Sequence, residues 1–299
     1  MPAHPKPRVD DSPLGRARLA LEGLSVGDAF GGRFFLPPAD SRMLPPAPWS
    51  YSDDSVQAQA IIEVLERHGQ IEKEALAHGF ARRYQADPYR GYGLSVRQVL
   101  DRIAEGVPWP IAAREIFSGT GSMGNGGAMR VAPVGAFFAD NLDEVIVQAR
   151  ASAEVTHAHP EGQAGAIAVA IAAAWAWGVR DQPRPRAGQQ MNEMVLDCTP
   201  AGQTRAGIEK ALSVSLGSTV EATVDALGNG SRITSPDTVP FALWCAARHI
   251  DDYEEALWTT VSAGGDNDTN CAIVGGIVVL ANGYESIPIA WREAREPLG

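Results

Sequence analysis

Two short acidic clusters near opposite ends of the chain constrain the fold more than any other feature. Residues 51–55 are Tyr-Ser-Asp-Asp-Ser, and residues 264–270 are Gly-Gly-Asp-Asn-Asp-Thr-Asn, with 212 positions (266 − 54) between Asp54 and Asp266. Each cluster joins carboxylates to a hydroxyl and precedes an apolar run. Hard divalent cations such as Mg²⁺ prefer oxygen ligands of this kind. Because four carboxylates balance the charge of two divalent ions, a single domain that brings both clusters together would create a two-metal site.

The composition is compatible with one such domain. The chain has 299 residues, of which 45% are apolar, enough to fill a sizeable core. We predict a flexible tail over residues 1–13 and a single domain over residues 14–299. The formal charge of 25 − 36 = −11 disfavours non-specific nucleic-acid binding, which usually needs a basic surface. The three cysteines are far apart and form neither a disulfide framework nor a CxxC zinc pattern.

No secretory signal is evident at the start of the chain. The most apolar stretch, residues 164–179, is alanine-rich and shorter than the ~20 residues of a usual membrane span. It is therefore predicted to be a buried helix. Together these features favour a soluble cytoplasmic protein with no membrane partner, and we expect a monomer.

Most of the chain has the periodicity of α-helices. Apolar residues recur at three- and four-residue spacing, and few runs are β-branched and alternating, so strands are expected to be minor. The predicted helices cover residues 16–26, 55–67, 71–84, 94–103, 142–155, 162–177, 207–215, 236–248, 253–261 and 269–280. The proline-rich residues 36–49 and residues 181–190 are predicted to be loops.

Each acidic cluster, taken alone, also has a structural explanation. Serine and aspartate accept hydrogen bonds from first-turn N–H groups, so residues 52–55 would serve equally as a helix N-cap. The second cluster is not an EF-hand, because Cys271 and Ile277 stand where that loop requires glycine and glutamate. Finding both clusters in one chain favours a shared site.

Two further segments have the chemistry of an anion site. Residues 121–130, Gly-Ser-Met-Gly-Asn-Gly-Gly-Ala-Met-Arg, form a glycine-rich turn whose N–H groups would cradle phosphate oxygens. No Gly-Lys-[Ser/Thr] follows, so this is not a P-loop, and a plain turn is the alternative. His157 and His159 form a His-x-His pair, but no third zinc ligand lies nearby. His157 is therefore either a structural histidine or a contact to an anionic ligand. Asp28, in Gly-Asp-Ala-Phe-Gly, is expected to cap or orient a neighbouring segment.

The combination of these motifs resembles the ADP-ribosylglycohydrolase family, which includes the dinitrogenase-reductase-activating glycohydrolases. The matching segments occur in the family's order and span roughly residues 20 to 285. They are residues 27–31 (Gly-Asp-Ala-Phe-Gly), 52–55 (Ser-Asp-Asp-Ser), 124–130 (Gly-Asn-Gly-Gly-Ala-Met-Arg), 156–157 (Thr-His) and 265–270 (Gly-Asp-Asn-Asp-Thr-Asn).

The resemblance implies an all-α fold, a compact multi-helix orthogonal bundle around a central binuclear site for two Mg²⁺ (or Mn²⁺). The implied metal ligands are Ser52, Asp53, Asp54, Asp266, Asp268 and Thr269. The implied contacts to the diphosphate of ADP-ribose are Gly121, Ser122, Met123, Gly124, Asn125 and His157. The family's reaction is hydrolysis at ribose C1″ of the bond to a modified acceptor, and we assign catalytic roles to Asp53, Asp54 and Asp268, with Asp53 or Asp54 accepting the proton of the attacking water.

The chain departs from the family pattern in three respects, of which the third is that residues 32–35, Gly-Arg-Phe-Phe, look like a subgroup feature that leaves room for an acceptor other than arginine. The usual Thr-Asp-Asp-Thr is Ser-Asp-Asp-Ser here, and Phe34-Phe35 stand where many members carry a glutamate. Two rivals therefore stay open: a phosphatase or phosphodiesterase acting on an ADP-ribose-like metabolite, and a non-catalytic ADP-ribose-binding or structural relative. The acceptor, whether arginine, serine, a nucleic-acid base or a metabolite, also stays open.

Overall fold

The computed structural model describes residues 10–35, 42–180 and 187–299. Within these ranges the chain forms sixteen α-helices and no β-strand, which confirms the all-α prediction. Two short 3₁₀ turns cover Phe117–Gly119 and Tyr284–Ser286. The helices are α1 Pro13–Gly31, α2 Asp53–His68, α3 Lys73–Ala86, α4 Leu94–Ala104, α5 Trp109–Glu115, α6 Gly126–Met129, α7 Ala132–Phe137, α8 Leu142–Glu154, α9 Pro160–Gly178, α10 Ala187–Cys198, α11 Gln203–Ser213, α12 Val220–Leu227, α13 Ser235–Arg248, α14 Tyr253–Val261, α15 Asn267–Asn282 and α16 Ile289–Ala294.

All ten predicted helices are confirmed, and six helices were not predicted: α5, α6, α7, α10, α12 and α16. The loop expected over residues 181–190 is wrong for residues 187–190, which begin α10, while residues 181–186 lie outside the described ranges. Gly188 suggested a break, but a Cβ there would overlap the Ala247 backbone, so its lack of a side chain permits close helix packing. The loop expected over residues 36–49 is non-helical where it is described, at residues 42–49.

The tail and domain boundaries stay predictions. Helix α1 begins at Pro13, and the Ser12 side chain caps it by accepting the Gly15 N–H at 3.0 Å. Residues 1–9 of the predicted tail lie outside the described ranges.

Helices α9 and α15 run through the core and are buried around nearly their whole circumference. A helix surrounded by other helices has no side exposed to water, so α9 is rich in alanine and lacks a polar face. None of the described helices is long and apolar enough to cross a membrane.

A glycine stripe on α1 allows unusually close packing against α15. Gly23, Gly27 and Gly31 recur at four-residue spacing and lie on one face of the helix. A Cβ on Gly27 would overlap the carbonyl oxygen of Cys271, and one on Gly31 would lie 2.9 Å from the Cα of Asp268. The stripe therefore brings α1 against the N-terminal turns of α15, where the second acidic cluster lies.

An aromatic cluster holds the segment that leads into α2. The ring of Phe30 stacks on Trp291 at 4.2 Å between centroids and lies 4.8 Å from Phe34 and 5.8 Å from Trp49. The backbone N–H of Trp49 also donates to the carbonyl of Ala294 at 2.6 Å. These contacts anchor the chain immediately before the first acidic cluster.

Candidate active site

One cavity of about 880 Å³ receives side chains from both acidic clusters and from the glycine-rich loop. Eleven of the twelve predicted site residues line it: Gly121, Ser122, Met123, Gly124, Asn125, His157, Asp53, Asp54, Asp266, Asp268 and Thr269. Ser52 does not, and its hydroxyl caps α2 by accepting the Asp54 N–H at 3.2 Å. The fold thus brings together two clusters 212 positions apart, while the role of each residue stays a prediction.

Asp28 holds the first cluster in position. Its carboxylate accepts the N–H of Ser52 at 3.0 Å, the N–H of Ser55 at 3.1 Å and the Ser55 hydroxyl at 2.6 Å. Burial raises the pKa of Asp28 although these donors oppose the rise. Because Asp28 lies on α1, which packs against α15, it connects the start of α2 to the second cluster. This agrees with the expectation that Asp28 orients a neighbouring segment.

The second cluster occupies the start of α15. Asp266 accepts a hydrogen bond from the side-chain amide of Asn125 at 2.7 Å, and the same nitrogen donates to the Thr238 hydroxyl at 2.9 Å. Asp268 accepts the N–H of Thr269 at 2.8 Å. The Asn125 side chain, assigned to the substrate by sequence, therefore also positions an acidic residue.

Burial and mutual repulsion raise the pKa values of the acidic side chains. Burial and the charge of Asp28 raise the pKa of Asp53 to about 7. Burial, followed by the charges of Asp28 and Asp268, raises the pKa of Asp54 well above its usual range. Burial and the charge of Asp266 do the same to the pKa of Asp268. Buried carboxylates at this density are costly unless a cation or protons neutralise them.

The donor set fits a hard divalent cation. Oδ2 of Asp54 is buried and has no hydrogen-bond partner, and such an orphaned acceptor is stabilised by an ion. Within the described ranges no group of three or more aspartate, glutamate, histidine or cysteine side chains has by itself the arrangement of a metal cage. The fit therefore rests on the oxygen chemistry, the accumulated negative charge and the orphaned Asp54 oxygen.

The glycine-rich loop is held against two helix ends. Gly121 has a φ of +75°, and a Cβ there would lie 2.7 Å from the Cβ of Ala158. On the other side the carbonyl of Met123 accepts the N–H of Ser235 at 3.0 Å. The loop thus lines the cavity from a rigid support, and within it the N–H of Gly124 donates to the Ser122 hydroxyl at 3.0 Å.

His157 lies beneath this loop and is neutral at physiological pH. A Cβ on Gly124 would be 3.3 Å from its Nε2, and its Nδ1 lies 2.8 Å from the Thr156 hydroxyl. Burial, together with the charge of Arg130, lowers the pKa of His157 to about 3.

Sequence patterns did not indicate two polar residues that connect these parts. Gln57 donates to Asp53 at 2.7 Å, and the fully buried Arg130 donates to Gln57. The spacing of four residues between Asp53 and Gln57 on one helix was a usable indication, since such pairs face each other. Arg130 ends the glycine-rich motif but carried no local indication of its partners.

The cavity rim carries two strained apolar residues that the sequence also did not reveal. Phe117 has a φ of 51° and is 59% exposed, and Ile233 has a φ of 55° and is 61% exposed. Bulky and β-branched side chains rarely adopt this conformation, and such strain concentrates at ligand-binding sites. Arg232 stands beside them on the rim.

The segment without the family glutamate supplies no replacement among the described residues. Phe34 packs into the aromatic cluster, Phe35 is 58% exposed, and neither lines the cavity. Glu115 forms an exposed ion pair and Glu161 accepts hydrogen bonds at the start of α11, both away from the cavity. In the described parts of the chain, the four aspartates are the only carboxylates of the cavity lining.

Comparison with known proteins identifies the family. The sequence profile described as ADP-ribosylglycohydrolase matches residues 10–297. The chain belongs to the ADP-ribosylglycohydrolase family and is a glycohydrolase, as its motifs predicted.

Relatives and a solved structure agree with this assignment. The chain is 30% identical to "ADP-ribosylhydrolase ARH3" of Homo sapiens over 274 residues, covering 82% of this chain and 74% of that protein. It is 32% identical to the protein of the same name from Bos taurus over 276 residues, with the same coverages. A solved structure described as "ADP-ribosylglycohydrolase-related protein complex" superposes with a TM-score of 0.69 at 26% identity and covers 95% of this chain and 93% of its own.

Proposed function

We propose that this protein is a divalent-metal-dependent hydrolase that releases ADP-ribose from a modified acceptor by cleaving the bond at ribose C1″. One observation carries the proposal: a single cavity joins four convergent carboxylates to a glycine-rich loop and a neutral buried histidine. Carboxylates suit the metal and ribose end of such a substrate, and backbone N–H groups suit its diphosphate.

The acidic end would hold the metal. Asp53, Asp54, Asp266 and Asp268 would be the principal ligands of two Mg²⁺ (or Mn²⁺), with Thr269 beside them. Bound ions would supply Lewis acidity and offset the carboxylate charge.

The protein's own groups then have distinct tasks around the reacting carbon. Asp53 or Asp54 accepts the proton of the attacking water, and ionised carboxylates stabilise the positive charge that develops on the ribose. Asp28 takes no direct part, but it holds the N-terminus of α2 and so the position of both acids.

The other end of the cavity would bind the remainder of ADP-ribose. The loop at residues 121–125 and His157 would hold the diphosphate. The exposed ring of Phe117 offers a face on which a nucleotide base can stack, and Arg232 adds positive charge at the rim. Binding energy from these remote groups would position C1″ for attack.

The proposal is tested by product analysis. The protein is incubated with ADP-ribosyl-arginine, ADP-ribosyl-serine and ADP-ribosylated DNA, each with Mg²⁺ and with EDTA. We expect free ADP-ribose from at least one substrate in Mg²⁺ and none in EDTA. Asp268→Asn serves as the inactive control, because it keeps the size of the side chain and removes the charge.

Each rival predicts a different product pattern. Inorganic phosphate or AMP from an ADP-ribose-like metabolite would favour the phosphatase or phosphodiesterase. Calorimetric binding of ADP-ribose with no turnover of any substrate would favour the non-catalytic relative. Equal release of ADP-ribose in Mg²⁺ and in EDTA would refute metal dependence.

Cellular location and assembly belong to the proposal as well. We infer a cytoplasmic monomer from the acidic composition and from the sequence features described above. Fractionation and light scattering would test these two points.

A further inference from the structure

Arg130 lies between the two halves of the site, which are the acidic clusters on one side and the glycine-rich loop with His157 on the other, and it does not line the cavity. It follows the short helix α6, is completely buried, and has its guanidinium 4.2 Å from the centre of the Phe80 ring. Burying an arginine is costly unless its donors find well-placed acceptors. The acceptors of its Nη1 and Nη2 groups connect Arg130 to both halves of the site.

On one side the guanidinium determines how the Gln57 amide is turned. Nη1 of Arg130 donates to Oε1 of Gln57, which leaves Nε2 of Gln57 to donate to Oδ2 of Asp53 at 2.7 Å. The reversed amide would set its NH₂ against the guanidinium and its oxygen against a carboxylate. Arg130 therefore keeps a hydrogen-bond donor directed at the first acidic cluster.

On the other side Arg130 bonds to the hydroxyl that faces the ring of His157. Nη2 donates to the Thr156 hydroxyl at 2.8 Å and to the carbonyl of Ser152 at 2.9 Å. Because the Thr156 oxygen accepts from Arg130, its own proton is free for Nδ1 of His157, 2.8 Å away. When the hydroxyl proton is used in this way, Nδ1 is the acceptor and the ring proton belongs on Nε2, which faces the glycine-rich loop.

We propose that Arg130 is a positioning residue that sets the donor and acceptor directions in both halves of the site. It turns the amide donor of Gln57 toward Asp53, and through Thr156 it fixes His157 as an Nε2–H donor toward the loop. The identity of the loop's ligand rests on the proposed function, whereas the tautomer of His157 is a property of the protein alone.

The tautomer is measurable without any substrate. In protein labelled with ¹⁵N-histidine, long-range ¹H–¹⁵N spectra distinguish the two tautomers, and His157→Asn identifies the signal among the six histidines. We expect the Nε2–H form in the wild type. Thr156→Val keeps the shape but removes the hydroxyl, so it should yield a mixture of tautomers, whereas Thr156→Ser should retain the wild-type form. An Nδ1–H wild type, or an unchanged tautomer in Thr156→Val, would overturn the proposal.

Arg130→Lys tests the positioning role of Arg130 directly. An ammonium keeps the charge but cannot serve three acceptors in the planar directions of a guanidinium. We expect a tautomer mixture, and a KM for the ADP-ribosyl substrate raised in inverse proportion to the fraction that keeps the Nε2–H form, roughly twofold for an even mixture, with little change in kcat. The matched control is Arg16→Lys, since Arg16 is also buried but bonds to Asp140 away from the cavity. It should leave tautomer and KM unchanged.

The positioning role of Arg130 and the proposed hydrolase function can be refuted independently of each other. A wild-type tautomer and KM in Arg130→Lys would overturn the positioning role even if the protein releases ADP-ribose. A shifted tautomer in a protein that hydrolyses no ADP-ribosyl substrate would support the positioning role and refute the proposed function. If Arg130→Lys does not fold, the Thr156 variants decide, because their substitutions are smaller.

Discussion

Replacing Gly27 by alanine should destabilise the protein and impair the site, although a helix interior usually favours alanine. Gly27 faces α15 at the closest approach of the two helices. The added methyl would overlap the carbonyl oxygen of Cys271 and lie 2.8 Å from its carbonyl carbon, whereas ordinary contact begins at 3.4 Å. Backbone atoms cannot rotate away as a side chain can, so restoring ordinary contact with the oxygen, 2.1 Å from the added methyl, requires α1 and α15 to separate by about 1.3 Å along that contact (3.4 − 2.1).

The expected magnitude combines two opposing effects. Overpacking a core costs about 1–3 kcal/mol, while glycine to alanine in a helix interior contributes about 0.5–1 kcal/mol of stability. Gly79 on α3 provides the matched control, because a Cβ there would meet only Ala60, at an ordinary 3.7 Å. Because the helix-propensity gain is common to both substitutions and cancels, Gly27→Ala should be less stable than Gly79→Ala by about 1–3 kcal/mol, the overpacking cost alone.

Separating α1 from α15 should also displace the acidic clusters, because Asp28 follows Gly27 and holds the start of α2. Misplacing reacting groups by about 1 Å can cost about 10²-fold in rate, so we expect turnover to fall by about tenfold. Guanidinium unfolding and steady-state kinetics measure the two effects. A Gly27→Ala protein as stable and as active as Gly79→Ala would refute the role of the glycine stripe.

Three further predictions follow from the site. Asp54→Asn and Asp268→Asn should each lower turnover at saturating Mg²⁺ by about 10²-fold or more, because each removes a charge that would hold the metal in the proposed mechanism; near-normal kinetics in both would contradict their roles. Gly124→Val should weaken ADP-ribose binding more than Mg²⁺ binding, because the side chain would meet His157 beneath the loop; equal changes in calorimetry would contradict this. With EDTA present, the protein should unfold more easily at pH 8 than at pH 5. The pKa of Asp53 rises from 3.8 to about 7 on folding, so the folded state keeps a proton that the unfolded state releases. The resulting stabilisation, about 4 kcal/mol for 3.2 pH units (7 − 3.8), is complete below pH 4 and is lost as pH rises through 7, so about 3 kcal/mol of it (for 7 − 5 = 2 units) separates pH 5 from pH 8. The lowered pKa of His157 acts in the opposite direction, because the unfolded chain gains a proton below pH 6.5, and it removes about 2 kcal/mol of this difference (for 6.5 − 5 = 1.5 units). Guanidinium unfolding at both pH values checks this, excess Mg²⁺ should remove the difference, and greater stability at pH 8 in EDTA would contradict it.

The helices were largely predictable because their pattern is local. Runs such as residues 162–177 and 269–280 carry enough apolar residues to mark a helix without knowledge of what covers it. The prediction failed at residues 187–190, where a glycine that looked like a break allows α10 to approach α13. Short helices such as α6 and α7 were not predictable, because four to six residues contain too little periodicity.

The sequence by itself determined which chemistry is present: paired aspartates beside hydroxyls, a glycine-rich turn and a histidine, in the order of one family. Residue type and spacing along the chain are enough for that inference. Only the tertiary structure decided how these groups are held. Asp28 caps a helix that begins 25 positions later (53 − 28), and Arg130 bonds to Gln57, 73 positions away. Ser52, a metal ligand implied by the family resemblance, caps α2 with its hydroxyl and does not line the cavity. Contacts of this kind depend on the packing of α1 against α15 and on burial in the core, and neither is encoded in any local stretch of sequence.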